Sequence, residues 1–203
     1  MKDQKKQIKE AVEVLRNGGV VVFPTETSYG LAADATDRRA VERLMRIKGR
    51  GSKTLPVIAS SLVMFKRYAQ IEGVALKLAR KFWPGPLTIV LPVRDDKLKF
   101  VSPFCVKDKH IAIRVSSNEI ARELSRQLGK PIVATSANRS GQPDCYSIRT
   151  LRKQYVRSRL QPDFILDAGA LPKRKPSTLI SIKDEQIKVL RQGSIKIPHA
   201  YLS

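Results

Sequence analysis

Histidine, cysteine and acidic residues are all scarce in this sequence of 203 residues, and each scarcity removes a class of chemistry. With His110 and His199 as the only histidines, a three-histidine metal site cannot be built. Cys105 and Cys145 show no metal-ligand spacing, and nothing indicates a disulfide framework. No apolar run approaches the roughly 18–20 residues that a membrane span needs. The start, Met1-Lys2-Asp3-Gln4-Lys5-Lys6, is charged and lacks the apolar core of a signal peptide. Together these absences point to the cytosol. A G-x-S-x-G elbow and a G-x-G-x-x-G turn are also missing, which argues against serine-hydrolase and dinucleotide chemistry. There is no internal repeat and no Ser/Gly-rich linker, so residues 1–203 are expected to form one domain, and the 42% hydrophobic content suffices for a core.

Only 18 Asp and Glu oppose 39 Lys and Arg, a formal charge of +21. Such an excess raises the local concentration of polyanions, and nucleic acid is the leading partner because neutralised phosphates release counterions. The cations are spread along the chain rather than blocked into a tail, which predicts a folded basic surface.

What is present alternates between helical and extended patterns. Ile8, Ala11, Val12 and Leu15 share one helical face, ended by Gly18-Gly19. Val20-Val21-Val22-Phe23 is a β-branched run closed by Pro24. Asp37 caps a second predicted helix carrying Ala40, Val41, Leu44, Met45 and Ile47, with Gly49 past its end. Strands are expected at 55–60, 87–93, 111–115, 131–135 and 164–166, and helices at 64–69, 74–82 and 147–157. Ser116 and Glu119 have capping-box spacing ahead of a helix bearing Ile120, Leu124 and Leu128. Residues 177–182 and 186–190 form a closing strand pair around Lys183-Asp184-Glu185. The pattern predicts an α/β domain on a twisted, mostly open mixed sheet with flanking helices.

Gly49-Arg50-Gly51-Ser52-Lys53-Thr54 imitates a phosphate-binding P-loop, but Ser52 separates Gly51 from Lys53 and a helix precedes the turn. Three constellations carry more weight. Pro24-Thr25-Glu26-Thr27-Ser28-Tyr29-Gly30 leaves a buried strand, with hydroxyls for a small polar ligand and a flat wall in Tyr29. Lys48-Gly49-Arg50, with Lys53, gathers cations at a helix end, suited to phosphates. Thr135-Ser136-Ala137-Asn138-Arg139-Ser140-Gly141 follows a strand, where α/β sheets commonly place ligands. Each also fits an ordinary polar turn or a solvated charged face, so their order along the chain is the stronger signal.

That order resembles the YrdC/Sua5 family of threonylcarbamoyl-AMP synthases. The resemblance continues through Phe82-Trp83-Pro84-Gly85-Pro86-Leu87-Thr88, Ile113-Arg114-Val115, Pro176-Ser177-Thr178 and Leu190-Arg191-Gln192-Gly193. It implies a YrdC-like fold with a central, positively charged cleft, and synthesis of threonylcarbamoyl-AMP and pyrophosphate from L-threonine, bicarbonate and ATP, for modification of adenosine 37 of tRNA. By similarity, Thr25, Tyr29, Arg114 and Ser177 bind threonine, with Arg114 facing its carboxylate. Lys48, Arg50, Lys53, Ser136, Asn138 and Arg191 surround ATP, and Lys48 and Arg50 are the catalytic cations. Mg²⁺ is held mainly by the ATP phosphates and the protein supplies no metal site.

Lys48 and Arg50 are expected to be solvent-accessible, so that Lys48→Ala leaves the fold intact. Two positions depart from the family pattern: Ser116 stands where many relatives have proline, and Ala59 where longer relatives often carry histidine. The resemblance is to the short branch, without the C-terminal Sua5 domain. Hydrogenase-maturation carbamoyltransferases share the domain but add acylphosphatase-like and zinc-binding regions that this sequence does not show. A non-catalytic RNA-binding module of the same fold, acting in tRNA or ribosomal RNA maturation, is the alternative. tRNA and the downstream threonylcarbamoyl-transfer proteins are expected partners.

Overall fold

The computed structural model describes residues 2–49, 51, 54–198 and 201. Helix α1 (Lys2–Arg16) buries the predicted stripe Ile8, Ala11, Val12 and Leu15. It packs against Ile120, Ala121 and Leu124 of α5 (Glu119–Leu128) and against Val21 and Phe23 of β1 (Val21–Pro24). Each large side chain in such a stripe contributes about 1.5–3 kcal/mol when fully buried. α2 (Arg38–Lys48) has the predicted ends: Asp37 accepts from the N–H groups of Arg39 and Ala40, and Gly49 closes the helix at φ 62°. That left-handed conformation is cheap only for a residue without a Cβ.

The strands divide between two sheets. In the four-stranded sheet, β1 pairs antiparallel with β2 (Tyr29–Ala32) and parallel with β9 (Phe164–Ile165), and β2 pairs with β8 (Thr135–Ser136). The larger sheet is built on β4 (Leu87–Pro92), flanked by β6 (His110–Arg114) and β10 (Thr178–Lys183). Beyond β6 lie β3 (Val57–Ile58) and then β7 (Ile132–Val133), while β11 (Gln186–Arg191) closes a hairpin on β10. β5 (Val106–Lys107) is a short partner of β6. Helices α3 (Leu62–Lys66), α4 (Gly73–Phe82) and α6 (Ile148–Tyr155) complete the mixed α/β arrangement. No described helix is long and apolar enough to cross a membrane.

Three local expectations change. The run 131–135 is not one strand: β7 pairs with β3 in one sheet and β8 with β2 in the other, so the segment crosses between sheets. β2 lies where a turn was expected to continue through Gly30, and a Cβ there would sit 2.9 Å from the Phe23 ring. The cap of α5 is Asn118, whose Oδ1 accepts from the Ala121 N–H at 3.2 Å, not Ser116. The Ser116 hydroxyl is drawn elsewhere by a tertiary partner.

Candidate active site

A cavity of about 270 Å³ opens between the two sheets. The β1–β2 turn, β2 and β8 line one side with Thr25, Thr27, Ser28, Tyr29 and Ser136. The larger sheet contributes Thr88, Arg114, Ser177 and Arg191. Of the ten residues expected in the site, six therefore share one cavity: Thr25, Tyr29, Arg114, Ser136, Ser177 and Arg191. Arg50 and Lys53 lie outside the described residues.

The turn is folded around Thr25. Its hydroxyl donates to Ser28 O at 2.7 Å and accepts from the N–H groups of Thr27 and Ser28 at 3.1 and 3.3 Å. Serine and threonine hydroxyls commonly close turns this way, so Thr25 shapes the wall of the cavity as well as facing it. Tyr29 is fully buried. Its hydroxyl donates to Gly169 O at 2.7 Å and accepts from the Ala168 N–H at 2.9 Å, which ties the 167–169 segment to β2. Burial pushes the Tyr29 pKa up from its ordinary value.

On the other side, Arg191 caps Ser177. Its Nη2 donates to Ser177 O at 2.9 Å and to Ser177 Oγ at 3.0 Å, and Thr88 Oγ1 lies 2.9 Å from the same hydroxyl. Burial, and then the like charge of Arg114, lower the Arg191 pKa from its ordinary value, with Asp144 opposing. The close approach depends on Gly193, where a Cβ would lie 2.1 Å from Pro176 O and 2.5 Å from Thr178 N. These are backbone atoms that cannot step aside. Gly193→Ala is expected to displace Ser177, lower the unfolding midpoint and weaken ligand binding together. An unchanged midpoint in thermal denaturation would show that the 176–178 backbone has slack.

Arg114, at the end of β6, approaches Glu26 with Nη1 3.0 Å from Oε1, and their side chains are only 9% and 6% exposed. The contact is an ion pair rather than an aligned hydrogen bond, because Glu26 Oε1 has no hydrogen-bond partner among the described residues. Ser116 Oγ donates to the other oxygen, Oε2. Glu26 carried no assigned role in the sequence reading. The signal was the acid inside a hydroxyl-rich turn, but its basic partner lies far along the chain and is identified only by the fold.

Lys48 corrects an expectation. It is 4% exposed and not among the cavity-lining residues. Its ammonium donates to Ser136 O, to Asn138 O at 2.8 Å and to Asn138 Oδ1 at 3.0 Å. Ser136 Oγ also donates to Asn138 Oδ1 at 2.5 Å, and Asn138 Nδ2 donates to Arg139 O and Gln142 O. The Ser136–Asn138 loop is thus wrapped around the last side chain of α2, with Ser136 presented to the cavity and Lys48 and Asn138 behind it.

The Phe82–Thr88 run supports the same region. Trp83 packs against Phe65 with ring centroids 5.1 Å apart and the rings tilted by 53°, and its Nε1 donates to Leu87 O at 2.6 Å. The Gly85 N–H donates to Val115 O at 2.8 Å, which joins the start of β4 to the residue after Arg114. Ala59, the other departure from the family pattern, is fully buried, and its N–H donates to Arg114 O at 3.0 Å.

Residues 13–193 match a family model, Sua5, YciO and YrdC, described as telomere recombination. The threonylcarbamoyl-AMP synthase of Vibrio vulnificus is 34% identical over 190 residues, covering 92% of this chain and 98% of its own. The P. abyssi Sua5 structure, complexed with L-threonine, aligns with a TM-score of 0.82 at 34% identity over 92% of this chain. This chain spans about half of that one, 54%. E. coli YciO aligns with a TM-score of 0.79 at 30% identity, covering 94% of this chain and 90% of its own. A shared fold, a family match across nearly the whole length and these identities lead to one conclusion: the chain belongs to the Sua5, YciO and YrdC family.

Proposed function

We propose that this chain is a threonylcarbamoyl-AMP synthase acting on L-threonine, bicarbonate and ATP. The observation that carries the reading is the meeting of Arg114, Arg191, Ser177 and Ser136 in one cavity between the sheets. Its volume, about 270 Å³, is at the lower edge of small-ligand pockets, roughly 300–1,000 Å³. It suits an amino acid with part of a phosphate chain, leaving the nucleoside outside the enclosed portion. Relatives that bear the synthase name and a relative bound to L-threonine support the assignment.

In this reading the Arg114 guanidinium receives the threonine carboxylate, and the Ser177 hydroxyl and the Thr25 turn orient the rest of the amino acid. The threonine amine nitrogen forms a bond to the carbon of carbon dioxide, releasing a proton, or of bicarbonate, releasing water, and gives N-carboxythreonine. A carboxylate oxygen of that group then attacks the α-phosphorus of ATP as the bond to pyrophosphate breaks. Anion attacks anion, so the site must supply positive charge and alignment rather than a strong base. Arg191 lies in the cavity for this purpose, and Arg50 and Lys53 are assigned to the phosphates by family resemblance. Mg²⁺ bound with ATP would be held mainly by the phosphates and would supply neutralising charge to the departing pyrophosphate. Asp144 is the carboxylate of the described cavity lining available to it.

The product is a mixed anhydride suited to donation onto an adenosine amine, so the proposal extends to tRNA as the eventual acceptor. Supporting RNA contact, the exposed cations Arg149, Arg152, Lys153, Arg157 and Arg159 fall on and just after α6. The exposed run Lys173-Arg174-Lys175 is tied to Tyr146, two residues before that helix, whose hydroxyl donates to Arg174 O at 3.3 Å.

The full chain is expected to release pyrophosphate from ATP only when L-threonine and bicarbonate are both present. Omission of either should reduce release to background. ATP turnover indifferent to threonine would refute the reading. Tight binding of structured RNA with no turnover would favour the non-catalytic RNA-binding module instead.

A further inference from the structure

We propose that Glu26 is a positioning residue that holds Arg114 in its carboxylate-binding orientation and makes the two cavity guanidiniums chemically unequal. Glu26 sits between Thr25 and Thr27, both of which line the cavity, yet it is not part of the lining. Its carboxylate lies instead against Arg114 and Ser116. A buried arginine without a counter-ion is costly, and its long side chain has many rotamers to choose from. The Glu26 contact engages one guanidinium nitrogen and leaves the remaining donors of the planar fork for a ligand.

Glu26 is itself held. Ser116 Oγ donates to Oε2 while accepting from the Asn118 N–H at 3.1 Å, and Arg122 Nη1 donates to Ser116 O at 2.7 Å. Orientation therefore passes from the start of α5 through Ser116 and Glu26 to Arg114. The pair also crosses between the sheets, from the β1–β2 turn to the end of β6, and so sets the separation of the cavity walls. Among the described residues no carboxylate forms an ion pair with Arg191, on which Asp144 acts only through its charge; its side-chain hydrogen bonds go to Ser177. Neutralised from behind, Arg114 is suited to a single carboxylate read by hydrogen-bond geometry. Arg191 keeps more of its charge for phosphate.

The inference rests on the proposed synthase reading, and the wild-type protein tests that reading first: without threonine-dependent pyrophosphate release, the synthase reading itself fails. With wild-type turnover established, Glu26→Ala is expected to raise the threonine KM roughly tenfold or more, with the ATP KM nearly unchanged. Glu26→Gln keeps an oxygen for Arg114 and an amide for Ser116 but loses the charge, so it should recover part of the threonine KM. Ser116→Ala should raise the threonine KM by a smaller factor and likewise spare ATP. An unchanged threonine KM in Glu26→Ala would overturn the proposal. So would a parallel rise in both KM values with Glu26→Gln no better than Glu26→Ala. Should Glu26→Ala fail to fold, Ser116→Ala decides: a selective rise in threonine KM supports the positioning role, and wild-type values refute it.

Discussion

Lys48→Ala is expected to abolish threonine-dependent pyrophosphate release and, in the same protein, to lower the unfolding midpoint by roughly 5–10 °C. The thermal effect follows from burial. The ammonium satisfies the carbonyl groups of Ser136 and Asn138 and the Asn138 side chain at the end of α2. Removing one partner of a buried, charge-assisted network costs about 1–3 kcal/mol for each group left unsatisfied. In a protein of this size each kcal/mol shifts the midpoint by about 2–4 °C. The kinetic effect follows from geometry, because Ser136 reaches the cavity from a loop that Lys48 holds in place, and misplacement of about 1 Å can cost on the order of a hundredfold in rate. Thermal denaturation beside the pyrophosphate assay separates this from the role of an exposed cleft cation. A Lys48→Ala protein with wild-type midpoint and no turnover would return Lys48 to direct contact with phosphate.

Arg114→Met is the second large effect. It strands the Glu26 carboxylate with 6% of its side chain exposed, and breaking a buried pair from one side costs about 3–5 kcal/mol. The midpoint should fall by roughly 10 °C or more, and calorimetry should detect no threonine binding. The physical cause is testable by adding Glu26→Gln: the double variant should recover most of the lost stability while threonine binding stays absent. Stability unmoved by Arg114→Met, or no recovery in the double variant, would mean that the pair is more solvated than its packing indicates.

These two expectations also mark where local reading of the chain stops. The stripe of α1, the Asp37 and Gly49 ends of α2 and the β10–β11 hairpin depend on residues within one or two turns of each other, so spacing alone reveals them. Local capping rules do not decide the cap of α5, because Ser116 and Asn118 both satisfy them. Ser116 is diverted by Glu26, ninety positions earlier in the chain. The break of 131–135 into β7 and β8 was invisible for the same reason: an apolar run shows that a segment is extended, not which sheet receives each half.

Thr25, Tyr29 and Ser136 were legible as candidates because they stand in hydroxyl-rich motifs written in contiguous residues, whereas Glu26 was not, since its partner is distant. Which of those groups face the cavity and which stand behind it was settled by packing between the two sheets. Lys48 illustrates the division. Its charge and its place at a helix end follow from neighbouring residues, but its burial follows from the 136–138 loop folding over it from the far half of the chain. Composition and spacing carry information about chemistry and local conformation, whereas solvent access and partner choice are properties of surfaces that exist only once distant segments have met.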